Sequence, residues 1–455
     1  MIDRRRFGQS LAGLAFAGLA GRTAHAAPRS IGYGALVPDP AGLLDLPPGF
    51  SYRVISSAGD IMDDGLRVPD RADGMGAFRL DRRRVALVRN HELSAQAFGD
   101  GPSPKASPEV TRGFDRNAAG KTLPGGTTTM VYDIRTGKLE RQHLSLAGTI
   151  RNCAGGSTPW GSWLSCEEDV TRAGGDVGQD HGWVFEVPSA HKGLADPVPL
   201  KAMGRFNHEA AAVDPATGIV YMTEDRDDAL FYRFLPDVRG ELRKGGRLQA
   251  LGLIAAPRGS DSRNRKVADF AVGAGHKVAW VDLDDVESPA DNLRKRGHIQ
   301  GATLFARGEG VHYGRGRDGH AELFFCCTSG GAAKLGQVMR YRPSRFEGQP
   351  GEQSEPGELA LFVESNNAAT FNFGDNLTVA PNGHLIVCED QYTAVVDNHL
   401  RGVTPDGALY NFGQLRWQTE LAGACFSPDG SILFVNIYSP GRTLAITGPW
   451  QGFAT

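Results

Sequence analysis

Between residues 151 and 169 the chain reads RNCAGGSTPWGSWLSCEED, with a thiol at Cys153 and three acids, Glu167, Glu168 and Asp169, at opposite ends of one short apolar run. Acids recur at the ends of similar runs, as NHE at 90–92, TED at 223–225 and CED at 388–390. Clustered carboxylates with Asn and carbonyl oxygens suit hard cations such as Ca²⁺, whereas a thiolate or imidazole among them favours a softer or redox-active metal. Glu92, Glu168, Glu209, Glu224, Asp225, Glu389 and Asp390 are candidate ligands of the first kind, and Cys153 is the candidate of the second. Asp375 in GDNLTVAP and Glu420 ahead of AGACFSPDG belong to the same picture. The triplet Asn-His-Glu occurs at 90–92 and again at 207–209, so His91 and His208 read either as hydrogen-bonded structural histidines or as ligands. Cys166, Cys388 and Cys425 lie in strand-like runs and read as packing residues, and the adjacent Cys326 and Cys327 must point to opposite faces of a strand.

These residues are carried by a β pattern. Runs such as RVALVRN, TMVYDI, GIVYMTE, KVAWVDL, HLIVCED and SILFVNIY are short, apolar and bounded by Gly, Pro, Asn and Asp in a chain with 60 Gly and 26 Pro. DPATGIVYMTED, APNGHLIVCED and SPDGSILFVN share a Pro, a Gly two or three residues later and then a strand, and STPWGSWLSCEED fits the same template. Pro presets φ at one turn position and Gly supplies φ > 0 at another, so each unit is a tight turn feeding a strand. Units of this kind spaced along the chain predict an all-β propeller of about five to seven blades with long loop insertions, near 100–125 and 343–358 among others. If the strands are equivalent inner strands, their far ends bring NHE, CEED, TED and CED to one mouth of the central channel.

Several other chemistries are excluded. GFDRNAAGKT (113–122) ends like a phosphate-binding loop, but six residues separate its glycines where four are needed. Asp261-Ser262 lies in a basic loop, RGSDSRNR, without metal-ligand neighbours, and GGTTT (125–129), GEG (308–310) and SGG (329–331) offer only weak backbone sites for an anion. The first residues, MIDRRRFGQSLAGLAFAGLAGRTAHAAP, set paired arginines before an apolar run and an Ala-His-Ala site, which predicts a twin-arginine export signal at 1–26 and a periplasmic or secreted protein of one domain, 27–455. Removing 1–26 leaves 45 basic residues against 51 acidic ones, which disfavours nucleic acid as a partner, and no later stretch is apolar enough to predict a membrane span. Six cysteines without CxxC spacing in a chain of 455 residues do not make a disulfide framework.

Most of the mature chain resembles the PhoX family of twin-arginine-exported alkaline phosphatases. The resemblance rests on the signal, DGMGAF (73–78), LVRNHE (87–92), GGTTTMVYD (125–133), NCAGGSTPWGSWLSCEE (152–168), FNHEAAAVD (206–214), YMTEDRDDALFYRFLP (221–236), TSGG (328–331), DNLTVAPNGHLIVCED (375–390) and FSPDGSILFVNIYSPG (426–441). It implies a propeller whose channel mouth holds a mixed Ca²⁺ and Fe³⁺ cluster that hydrolyses phosphate monoesters, with a metal-bound oxygen as the expected nucleophile. Carried across by motif, Cys153 is the iron ligand, Glu168 and Glu209 are carboxylate ligands, and Glu92, Asp225, Asp375 and Glu420 bind iron or calcium. Longer members carry an Arg-Pro-Glu element whose arginine contacts phosphate. The counterpart expected here, NFGDNL (372–377), keeps a carboxylate in Asp375 but no arginine, leaving Arg226 or Lys334 as the expected phosphate contacts. The residues by themselves also admit a calcium-dependent propeller lactonase or a non-catalytic, calcium-stabilised binding propeller. The lactonase has no use for a thiolate.

Overall fold

The computed structural model describes residues 31–103, 109–391 and 393–453. The export signal read at 1–26 lies outside the described residues, as does part of the loop at 100–125. Among the described residues the regular structure is almost all antiparallel strand, with one short α-helix at Leu293–Ile299 and two 3-10 turns. No helix among the described residues is long and apolar enough to cross a membrane.

Six inner strands pack side by side in a closed ring around a channel: Ala72–Arg79, Asn152–Ser157, His208–Val213, Gly308–Arg315, Gly374–Val379 and Leu421–Phe426. Each pairs with the strand that follows it in sequence, respectively Arg84–His91, Ser162–Glu167, Val220–Glu224, Ala321–Cys327, Leu385–Glu389 and Ile432–Ile437. Further strands continue outward, so that six sectors surround the channel. The third and fourth sectors are joined at their outer edges by Gly275–Asp282, which pairs with Gly246–Leu253 on one side and Glu358–Glu364 on the other. Ser51–Ser57 closes the ring by pairing with Arg442–Thr447 at the edge of the sixth sector.

The core lies between sectors. Phe78, Ala86 and Val88 of the first meet Trp163, Phe185 and Val187 of the second; Met75, Val85 and Leu87 of the first meet Cys425, Ile432 and Phe434 of the sixth. Each sheet therefore buries both faces, which is why its strands read as continuous apolar runs rather than as alternating ones. The architecture is a β-propeller, as the sequence predicts.

The turn units behave as their residues dictate. In APNG and SPDG, Gly383 and Gly430 take φ of 81° and 73° and donate to the carbonyls of Ala380 and Ser427 at 2.8 and 2.7 Å. The strands they feed, however, are the second strands of their sectors and not the innermost ones. The inner strands carry no such template and supply a different set of residues to the channel mouth.

Candidate metal centre

Every inner strand is interrupted near its first residue by a β-bulge. The register slips between Ala72 and Met75, Asn152 and Gly155, His208 and Ala211, Gly308 and Val311, and Gly374 and Leu377, and one residue later in the sixth strand, between Ala422 and Cys425. A bulge re-aims a side chain that regular pleating would send into the sheet stack. The first bulged residues of five strands are Asp73, Cys153, Glu209, Glu309 and Asp375, so five metal-ligating side chains stand at equivalent positions around the mouth. The Cys153 thiol lies 3.3 Å from Glu209 Oε1 and 3.5 Å from Asp73 Oδ2. Cys153 thus sits in a strand bulge.

Small residues follow this ring: Gly74, Ala154, Ala210 and Gly310. At Gly310 a Cβ would stand 2.7 Å from Asn376 Cα of the next sector, so glycine is required by close backbone approach. Beneath the ring the same small residues, with Trp163, His312 and Tyr313, line a channel cavity of about 270 Å³.

A second tier comes from the residues that end the second strands. Glu92, Glu168, Asp225 and Asp390 each follow the strand's last residue, and Thr328 and Tyr438 take the equivalent places in the fourth and sixth sectors. Their backbone N–H groups donate to the carbonyls of Arg71, Arg151, Asn207, Arg307, Phe373 and Glu420 at 2.9–3.2 Å, which fixes the equivalence of all six sectors. The preceding acids, Glu167, Glu224 and Glu389, point the other way, because alternate residues of a strand face opposite sides. Glu167 bonds His181 at 2.7 Å, Glu224 bonds the Tyr232 hydroxyl at 2.7 Å, and Glu389 bonds Arg401 at 2.7 Å. Glu224 and Glu389, candidate ligands by sequence, are therefore ties between strands and loops.

The two histidines are structural as well. His91 contacts the Asp70 carbonyl and Thr128 Oγ1, both at 2.9 Å, and His208 contacts the Gly204 carbonyl at 2.9 Å and stacks on Phe206. The repeated Asn-His-Glu triplet is not a structural repeat: its first copy ends a second strand and its second copy opens an inner one.

Among the described residues, two groups bring ligand atoms within 4.8 Å of one another: Glu92 with Cys153 and Glu168, and Glu209 with Glu309 and Asp375. Asp225, Asp390 and Glu420 surround them, Asp390 and Glu420 hydrogen-bonded to each other. Two arginines offset part of this charge. Arg151 reaches Glu92 at 2.5 Å and also Glu168, while Arg307 holds Asp225 through two bonds of 2.8 Å and lies 3.2 Å from Glu309. Tyr438 donates its hydroxyl to Glu92. Both arginines sit in the left-handed region, φ 43° and 54°, immediately before their inner strands.

The remaining charge is uncompensated. Burial, reinforced by neighbouring carboxylates, pushes Asp73, Glu168, Glu209, Glu309, Asp375 and Glu420 well above the usual carboxylate range. The Cys153 thiol is raised by burial and by the Asp73 and Glu209 charges. Glu209 Oε2 is buried with no hydrogen-bond partner. Buried carboxylates are tolerated when they are paired, protonated or bound to cations. Oxygen donors in excess, with one sulfur among them, fit hard cations beside a softer one.

Sequence reasoning missed Asp73, Glu309, Arg151 and Arg307. The signal for Arg307 and Glu309 was present, since Arg307-Gly308-Glu309 is itself an arginine and a glutamate two residues apart, and it lies at the mouth. NFGDNL is the equivalent segment of the following sector, with Phe373 in the arginine's place. Arg226 instead turns to Asn207 Oδ1 at 2.9 Å and to Asp291 at 3.6 Å, and Lys334 is exposed, with the Asp227 carboxylate in its field.

Comparison with known proteins gives these residues their setting. No curated protein sequence matches the chain. Among solved structures, Pseudomonas fluorescens PhoX in complex with vanadate, a transition state analogue, is 18% identical over 93% of this chain and 98% of that one, with a TM-score of 0.67, which shows the same fold. A gluconolactonase from Xanthomonas campestris is 14% identical over 93% of this chain and all of that one, at a TM-score of 0.39. The family model for alkaline phosphatase PhoX matches residues 31–441, and the chain accordingly belongs to that family of phosphatase hydrolases.

Proposed function

We propose that the chain hydrolyses phosphate monoesters at the propeller mouth with cations held by Asp73, Glu92, Cys153, Glu168, Glu209, Asp225, Glu309, Asp375 and Glu420. We further propose that it works in the periplasm or outside the cell after twin-arginine export. The observation that carries the reading is the ring of five bulged residues, four carboxylates and one thiol, all buried but the half-buried Asp375, with too few basic partners. Calcium suits the all-oxygen group of Glu209, Glu309 and Asp375, and iron suits the group containing Cys153. Such cations, when bound, activate water and offset phosphoryl charge.

The chain's own residues do the rest. Arg307 is 31% exposed while its partners Asp225 and Glu309 are 13% and 6% exposed, so its guanidinium is the group an incoming phosphate meets first. Arg151 is placed likewise, 34% exposed over Glu92 and Glu168. A planar guanidinium held at one edge by a carboxylate is pre-oriented to receive phosphoryl oxygens. Catalysis of this kind is positioning plus charge stabilisation, which a rigid ring of strands supplies.

The test is metal analysis and p-nitrophenyl phosphate hydrolysis of exported protein and its Cys153→Ala variant. Iron with calcium in the parent, and joint loss of iron and activity in the variant, is the expected result. A variant retaining both overturns the assignment of Cys153.

A further inference from the structure

The penultimate residue of each second strand lies at the bulge of its sector: Asn90, Cys166, Thr223, Cys326, Cys388 and Asn436. Three of these carry a strong donor, and each uses it on a carbonyl in the next sector. Asn90 Nδ2 donates to the carbonyls of Cys153 at 3.1 Å and Ala154 at 2.6 Å. Thr223 Oγ1 donates to the Glu309 carbonyl and Asn436 Nδ2 to the Asp73 carbonyl, both at 2.5 Å. The recipients are three of the five ring residues.

All three side chains are buried and also accept hydrogen bonds. Asn90 Oδ1 accepts from Trp163 Nε1 and Ser165 Oγ at 2.9 Å, Thr223 Oγ1 from the Ala210 N–H at 3.1 Å, and Asn436 Oδ1 from Thr443 Oγ1 at 2.6 Å. A bulge interrupts the ladder and leaves backbone groups that need partners. The side chain across the sector boundary supplies one, at the residue whose side chain enters the mouth.

We propose that Asn90, Thr223 and Asn436 are positioning residues that clasp the bulge peptides of Cys153, Glu309 and Asp73 from the neighbouring sector and so set the aim and spacing of the ring. The inference rests on reading that ring as the cation site, and it accounts for the first Asn-His-Glu triplet: Asn90 clasps, His91 packs and Glu92 faces the mouth.

The discriminating variant is Thr223→Val, which keeps the side chain's shape and removes its donor. Thr223→Ser restores the hydroxyl. Thr129→Val is the control, because Thr129 is buried in an outer strand with its hydroxyl unpartnered. Two quantities are measured: amide hydrogen exchange at residues 308–311 in chelator-treated protein, and Ca²⁺ affinity against a competing chelator. Thr223→Val should speed exchange at Glu309 and Gly310 and weaken Ca²⁺ binding, each at least tenfold, as losing a residue that orients a ligand does. Thr223→Ser and Thr129→Val should match the parent. Unchanged exchange and affinity in Thr223→Val, or equal changes in Thr129→Val, overturn the clasp. If the parent binds no Ca²⁺ while exchange rises only in Thr223→Val, the clasp stands and the cation reading falls. Should Thr223→Val not fold, Asn90→Ser read at residues 152–155 makes the same comparison.

Discussion

Replacing Glu209 by glutamine should stabilise the metal-free protein while impairing the enzyme. Glu209 is fully buried, one of its oxygens has no partner, and neither Arg151 nor Arg307 forms an ion pair with it. Its ligand atom lies within 4.8 Å of those of Glu309 and Asp375. Two ionised carboxylates at that separation repel by about 3.5 kcal/mol at an effective dielectric of 20. Without cations the folded protein therefore either bears that repulsion or keeps a proton that the unfolded chain has released, at about 1.4 kcal/mol for each pH unit above the ordinary value near 4.3. Glutamine removes the choice and keeps the shape, and its amide can donate to the remaining carboxylates.

At pH 8 in chelator, Glu209→Gln should raise unfolding stability by about 2–4 kcal/mol, on the order of one such pair repulsion. The sign with pH follows from the raised carboxyl. Its contribution is fully present below the unfolded value near 4 and is lost as pH rises, so the gap between variant and parent should close toward pH 4. With Ca²⁺ and iron added, the order should reverse, because the variant has lost a ligand. Denaturant titrations at pH 4, 6 and 8, with and without metal, measure all of this. A metal-free variant no more stable than the parent at pH 8, or a gap that widens as pH falls, refutes the argument that this carboxylate is held in place for a cation.

Three further outcomes follow from the same geometry. Arg307→Ala should lower kcat/KM for p-nitrophenyl phosphate by tenfold to a hundredfold, the worth of about 1.5–3 kcal/mol for a charged hydrogen bond, and should weaken inhibition by inorganic phosphate in parallel; Arg307→Lys should recover only part, since it lacks the fork. His181, buried between Glu167 and Asp115, is raised to about 9, so its stabilisation is complete below pH 6.5 and is lost as pH rises through 9, up to about 3 kcal/mol that His181→Gln should not show when both are unfolded with metal saturating. Gly310→Ala, whose Cβ would meet the Asn376 backbone at 2.7 Å, should cost at least about 1–3 kcal/mol in thermal unfolding, whereas Gly99→Ala, which meets nothing within 4 Å, should be silent.

The propeller and half of its site were legible in the sequence because turn chemistry is local. A proline followed two or three residues later by a glycine announces four of the six second strands, and the acid just past a strand's end, Glu92, Glu168, Asp225 or Asp390, is read off directly. Which of two consecutive acids faces the mouth was not legible, since Glu224 and Asp225 look alike until the pleat assigns them opposite sides. The inner strands were harder. Their candidate ligands stand on bulges, which leave little local signal beyond a small residue following, as in Asp73-Gly74 and Glu309-Gly310.

The buried cysteines show the same limit from the other side. Cys166 and Cys388 read as apolar packing and Cys326 only as one of two thiols on opposite faces of a strand, and all three are buried without disulfides. Their equivalence to Asn90, Thr223 and Asn436 appears only when the sectors are superposed by register. One place in each sector is thus filled by asparagine, threonine or cysteine, side chains that share a small volume and a donor at the same reach. A volume requirement alone would admit valine or alanine there. In three sectors, those of Asn90, Thr223 and Asn436, this place makes a bond to the neighbouring sector, and those donors sit opposite residues that form the ring.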